Sequence, residues 1–176
     1  YHKFIRDMSS REMMRYTCTP RRHCTLFFVR KKGGKLRLII GAREVNRCCK
    51  PAPSVSLAGS EVLASLEWNP DEEFHISLVD IKDCFHRLRL TDEMSDSFAL
   101  PGGFARDFRV QELNGQPIDP DTWIYPACAC VPMGISWSVF LAQSVAIQKV
   151  ISISGFGQDK ALQEDNPDRL LGDDVR

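Results

Sequence analysis

The stretch ISLVDIKDCFHRLRL, Ile76 to Leu90, decides how the rest of the chain is read. A short apolar run (Ile76, Leu78, Val79) ends in Asp80, and a second carboxylate follows at Asp83. Phe85 comes five residues after Asp80, and His86, Arg87 and Arg89 add basic groups beyond it. The pattern predicts a buried strand that delivers Asp80 at its end. Mg²⁺ takes oxygen ligands at about 2.0–2.1 Å, so a carboxylate held at a strand end is a suitable ligand for it. Asp80 as a plain salt-bridge partner is the competing reading, but a carboxylate closing an apolar strand is costly without compensation. Asp83 either caps the turn that follows or faces a substrate.

Composition sets wider limits. With 176 residues, 43% of them hydrophobic, the chain is one domain or a piece of a larger one and has the means to build a core. Its 23 basic and 23 acidic residues cancel, so no global positive field marks a nucleic-acid binder, although a groove needs only local charge. The chain starts on Tyr1 and stops in a charged run, Gly172 to Arg176, which reads as a cut-out from a longer protein. There is no secretory apolar core, and no apolar run approaches the ~18 residues of a membrane span, so no membrane partner is expected. The seven cysteines contain no CxxC pair; Cys48 and Cys49 are adjacent, and one residue separates Cys128 from Cys130. That spacing does not suit zinc, and it fits reduced thiols in the cytoplasm or nucleus.

Taken in order, Tyr1 to Cys18 predicts a helix or two whose role is packing. Leu26–Val29 and Leu36–Ile40 predict two strands of a hairpin, turned by Lys31-Lys32-Gly33-Gly34-Lys35. Alternation in the second strand puts Arg37 outward and its aliphatic neighbours inward. Lys31, Lys32, Lys35, Arg37 and Arg43 form either a solvated basic turn or a phosphate-binding face. Lys50 to Ser60 is a Pro- and Ser-rich loop. Ser60 to Trp68 predicts a helix with Ser60 as N-cap and Val62, Leu63 and Leu66 on one face. Asn69-Pro70-Asp71 reads as a turn. Ser97–Phe108, with Pro101-Gly102-Gly103 at its middle, predicts a hairpin, and Leu113–Thr122 a polar turn or small insertion. Trp123–Val131 predicts a strand running into Pro132-Met133-Gly134. An amphipathic helix follows, with Ser136 near its start and Trp137, Phe140, Leu141 and Val145 at helical spacing.

Three of these segments together resemble the reverse transcriptase family. VDIKDCFHRLRL is similar to its first catalytic motif: an aspartate, four residues, then an aromatic. KLRLIIGAREVN resembles its fingers segment, and VPMGISWSVFLAQ its second palm motif. The match runs from Leu26 to Lys149 in the family's order. It implies an α+β right-hand polymerase fold, with an antiparallel palm sheet backed by helices and a fingers β-hairpin. Fingers would occupy about 20–75 and palm 76–176, the latter truncated at its C-terminus. The implied activity is template-directed DNA synthesis from dNTPs on an RNA or DNA template with a nucleic-acid primer. Two Mg²⁺ ions (or Mn²⁺) would serve as cofactors. By resemblance Arg37 contacts the incoming triphosphate, and Lys32 or Lys35 takes the fingers lysine role. Arg43 and Asn46 match the positions that close the segment. Met133 lies beneath the nucleotide sugar, and Gly134 lets the backbone approach the nascent base pair. Related RNA-templated RNA polymerases usually carry a second aspartate where Phe85 stands. An aromatic there blocks a ribose 2′-OH, so Phe85 implies selection of deoxynucleotides. Gly41 departs from the family's usual Asp.

The family's third motif supplies a second metal-binding aspartate. Leu170-Leu171-Gly172-Asp173-Asp174-Val175 offers Asp173 for that catalytic and metal-binding role, but the preceding QEDNPDRLL is too polar for the expected strand. Asp173 is therefore either the second ligand or a loop residue, with the true motif beyond Arg176. Two alternative functions stand beside the polymerase. One is a catalytically decayed retroelement domain acting as an RNA-binding scaffold. The other is an RNA-dependent RNA polymerase, supported by the Gly172-Asp173-Asp174 string and opposed by Phe85.

Overall fold

The computed structural model describes residues 1–55, 57, 59–66, 71, 73 and 80–155. The strand expected at 76–79, the Asn69-Pro70 turn and the run containing Asp173 lie outside the described residues. In chain order the elements begin with helix α1 (His2–Ser9), strand β1 (Met14–Thr17), the hairpin strands β2 (Thr25–Arg30) and β3 (Leu36–Gly41), and helix α2 (Arg43–Cys48). Then come the short helices α3 (Ser60–Ala64), α4 (Cys84–Arg87) and α5 (Asp92–Ser95), followed by a 3-10 turn at Asp96–Phe98. Strand β4 (Gly103–Phe104), helix α6 (Ala105–Phe108), strands β5 (Glu112–Leu113), β6 (Gln116–Pro117) and β7 (Trp123–Cys128), and helix α7 (Ser138–Ser154) complete the series. The protein is thus α+β, and its paired strands are antiparallel.

The chain divides into two compact units. The first joins Tyr1–Ala52 to Asp83–Ser138, and the second takes Pro53–Lys82 and the chain from Val139 onward. In the first unit β7 is the centre of a three-stranded sheet, between β1 and β4. Its burial comes from a mixed apolar run: Ile124 and Ala127 are fully buried, with Ile5 of α1 and Leu100 also at zero exposure. Each large apolar side chain so buried contributes about 1.5–3 kcal/mol. Pro126 has no N–H to offer, yet sits in this central strand. It is tolerated because β4 pairs only with Trp123 and Ile124, and beyond them the Pro126 carbonyl accepts the Leu100 N–H at 2.7 Å. Ser95, fully buried, donates its hydroxyl to the Cys128 carbonyl at 2.7 Å, and Arg15 ties β1 to Asp96 at 2.7 Å.

The β2–β3 hairpin forms as its sequence requires. β2 and β3 pair from Thr25↔Gly41 to Arg30↔Leu36, and Gly33 and Gly34 turn the chain at φ 86° and 76°. A side chain would be strained in that conformation, so the glycine pair is what permits the reversal. Alternation holds only in part, because Leu36, at 61% exposure, is exposed along with Arg37 beside it.

Several expectations are corrected. Tyr1–Cys18 is one helix and one strand: β1 is half-exposed by sequence but is fixed by pairing with β7 more than a hundred residues away. Ser97–Phe108 is no hairpin, because the 3-10 turn, the two-residue β4 and α6 divide it, with Asp107 accepting the Phe104 N–H at 3.2 Å to start the helix. Leu113–Thr122 does hold a polar turn, at Asn114-Gly115, where both residues have positive φ as an Asn-Gly pair favours, and β5 and β6 pair across it. The N-cap of α3 is Gly59, Ser60 being the first helical residue, and Leu63 is exposed while Val62 and Leu66 are buried. Strand β7 ends at Cys128, short of Val131, while α7 begins at Ser138 with Ser136 near its start as expected.

All seven cysteines are free; Cys24, Cys128 and Cys130 are buried, whereas Cys18, Cys48 and Cys49 are exposed. Burial pushes the Cys24 thiol up from its ordinary 9.0 to about 11. The folded state therefore favours the protonated thiol. Its contribution to stability is complete below pH 9 and is lost as the pH rises towards 11. At pH 8.5, iodoacetamide should label Cys18, Cys48 and Cys49 in minutes and leave Cys24 intact, as read by peptide mass spectrometry. Labelling of Cys24 at an equal rate would show that its burial is wrong.

A candidate nucleotide pocket in the first unit

Four segments distant in sequence, the first of them carrying Met8, Met13 and Met14, meet at one pocket of about 330 Å³ within the first unit. Hairpin strand β3 contributes Arg37, with Leu38 and Ile40 on the apolar side, and the hairpin turn contributes Lys31. Asp83 and His86 come from the start and third residue of α4, and Met133 from the loop after β7. Cys128 and Cys130 close the floor. The walls are apolar and sulfur-rich, and the charged groups are few, which is the usual character of a small-molecule site. Arg37, Lys31 and Asp83 have no ion-pair partner among the described residues, so their charge faces solvent or a ligand.

Asp83 takes a left-handed backbone conformation, φ 54° and ψ 39°, which Asp tolerates better than most residues. It stands at the N-cap of α4 but its side chain accepts no capping hydrogen bond, leaving the carboxylate available to the pocket. Phe85, half-buried on α4, does not line the pocket. Lys32 and Lys35 are exposed in the hairpin turn; Lys31 is the turn lysine that reaches the lining.

The loop that carries Met133 is braced against the hairpin side. Gly134 has φ 129°, and a Cβ there would lie 2.7 Å from the Ile40 carbonyl oxygen. Asn46 of α2 then fastens the loop from both sides. Its Nδ2 donates to the Gly134 carbonyl at 2.9 Å, and its Oδ1 accepts the Ser136 N–H at 3.0 Å. Trp137 adds a third tie by donating Nε1–H to the Lys50 carbonyl at 2.8 Å. Gly41 also has a local reason: a Cβ at that position would come within 2.2 Å of Thr25 Oγ1 in the paired strand. Arg43 is exposed at the first position of α2.

Asp80 is exposed and belongs to the second unit, and Asp173 lies outside the described residues. Among the described residues, no three His, Cys, Asp or Glu side chains converge on a point that would hold a metal ion. No described helix is long and apolar enough to cross a membrane. His86 joins the lining, and Met8, Met13 and Met14 add to it from a stretch expected only to pack, because nothing in a linear pattern reports which side chains converge on a cavity. The chain matches no protein-family model, and no curated protein matches it.

Proposed function

We propose that this protein carries the fingers and palm elements of a template-directed DNA polymerase that incorporates dNTPs, acting on an RNA or DNA template with a nucleic-acid primer. One observation carries the reading. Arg37, Asp83 and Met133, drawn from the three stretches that resemble separate polymerase motifs, line a single pocket. A shared site requires the three stretches to meet, and their meeting at this pocket is what supports the reading.

In this reading Arg37 offers its planar fork of N–H donors to the triphosphate, and Lys31 adds a point charge beside it. Met133 provides a deformable apolar surface for sugar or base. Gly134 and Asn46 keep that surface in register with β3. Asp80 is a suitable oxygen ligand: it is exposed, and Mg²⁺ sites in polymerases commonly use one or two carboxylates together with substrate phosphates. Asp80 and Asp173 would hold the ions. The chemistry such ions supply is a lowered pKa for the primer 3′-OH and neutralised charge on the departing pyrophosphate.

Primer extension on an RNA template with Mg²⁺ and dNTPs, using the full-length protein, tests the proposal. Product formation with dNTPs is the expected result. A folded protein that binds RNA and forms no product would overturn the polymerase reading and favour a binding scaffold. Within the same assay Phe85→Val tests the sugar-selecting role that the resemblance gives to a residue standing outside the pocket lining: a rise of about 10-fold to 100-fold in ribonucleotide relative to deoxynucleotide incorporation, equal to about 1.4–2.8 kcal/mol, would assign it that role. An unchanged ratio would remove sugar selection from Phe85.

A further inference from the structure

The turn that ends α1 has an unusual occupant. Met13 N–H bonds back to the Met8 carbonyl at 3.0 Å and Glu12 N–H to the Ser9 carbonyl at 2.8 Å, the paired pattern of a Schellman helix end. The position that must be left-handed in such an end usually holds glycine. Here it holds Glu12, at φ 57°. A residue kept in that conformation needs its surroundings to hold it, and strain of this kind gathers at functional sites. Arg89 supplies the grip. Its guanidinium donates both to the Glu12 backbone carbonyl and to the Glu12 carboxylate, the latter at 2.7 Å. Arg89 itself is anchored beside β7: it bridges to Cys130, while Leu90 N–H bonds to the Ala129 carbonyl and Val131 N–H to the Leu88 carbonyl. Ala129 in turn donates to the Met13 carbonyl at 2.9 Å.

A Schellman end brings together the side chains at its two extremes, which here are Met8 and Met13. Both line the pocket that Arg37, Asp83 and Met133 share. We infer that Arg89 is a positioning residue: by clamping Glu12 it fixes Met8 and Met13 as a wall of that pocket and so sets how tightly the pocket takes its nucleotide. The inference rests on the proposed nucleotide reading of the pocket. An exposed ion pair alone does little, but this guanidinium fixes the backbone and side chain of one strained residue together.

Glu12→Gly is the informative variant, because glycine suits the left-handed position and keeps the turn while removing the carboxylate that Arg89 grips. Full-length Glu12→Gly and Arg89→Ala proteins should show a KM for dNTP raised about five-fold, with kcat within two-fold of wild type. Glu12→Gly should melt no lower than wild type, and Arg89→Lys, which keeps a cationic donor, should show a smaller rise in KM than Arg89→Ala. A purely structural role for the pair predicts an unchanged KM in Glu12→Gly, and that result would overturn the inference. A second readout does not depend on polymerisation. Limited oxidation by hydrogen peroxide, mapped by mass spectrometry, should convert Met8 and Met13 to sulfoxides several-fold faster in both single variants. If the wild-type protein extends no primer, the polymerase reading fails on its own account. Unchanged oxidation rates would then overturn the clamp, and faster rates would support it.

Discussion

Replacing Asp80 with alanine should lower dNTP incorporation by about a thousand-fold while leaving the melting temperature within a degree or two of wild type. Asp80 is exposed, so its loss opens no cavity and leaves no buried partner, and substitutions of that kind usually change stability by less than about 0.5 kcal/mol. The catalytic cost has a different origin. A carboxylate that helps hold a divalent ion contributes several kcal/mol to stabilising the charge that develops on the transferring phosphoryl group, and about 4 kcal/mol corresponds to three orders of magnitude in rate. Single-turnover extension by the full-length protein under saturating dNTP separates this loss from weaker binding. A fall of less than ten-fold would exclude Asp80 as a ligand and would remove the first motif from the argument.

The second large effect is on stability. Gly134→Ala should destabilise the protein by about 3 kcal/mol. One part is conformational: φ 129° belongs to glycine, and placing another residue in such a region costs about 1–3 kcal/mol. The other part is steric. The new Cβ would sit 2.7 Å from the Ile40 carbonyl oxygen, a backbone atom in a paired strand that is not free to swing aside, and overpacking of this kind costs about 1–3 kcal/mol. For a chain of this size a loss of 3 kcal/mol lowers Tm by about 6–12 °C, readable by thermal unfolding. Gly33→Ala is the matched control. Its φ is also positive, at 86°, but nothing lies within 4 Å of the added Cβ, so only the conformational part is expected. Equal losses at the two positions would show that the contact between Gly134 and Ile40 contributes nothing.

Sequence alone determined the elements whose cause is local. The β2–β3 hairpin was legible because a Gly-Gly turn between two β-rich runs specifies both the reversal and the pairing. Helix α7 was legible as a long apolar run without Gly or Pro, but the one-sided face expected of it is not seen: Trp137 lies before its start and Val145 is exposed. Tertiary structure decided what depends on distant partners. Met14–Thr17 is a strand because β7 is there to pair with it, and Gly103–Phe104 is cut to two residues because α6 begins at once with Asp107 holding its first turn. The candidate residues show the same division. Arg37, Asp83 and Met133 could each be nominated from its own motif, but only the folded chain brings them to one pocket and adds Lys31, His86, Met8 and Met13 to its lining. The roles of Asn46 and Arg89 were likewise hidden. A hydrogen bond from Asn46 to a loop 88 residues away, or from Arg89 to a strained glutamate 77 residues away, leaves no periodic signal in the sequence, because closing such long loops is decided by the packing of the whole unit.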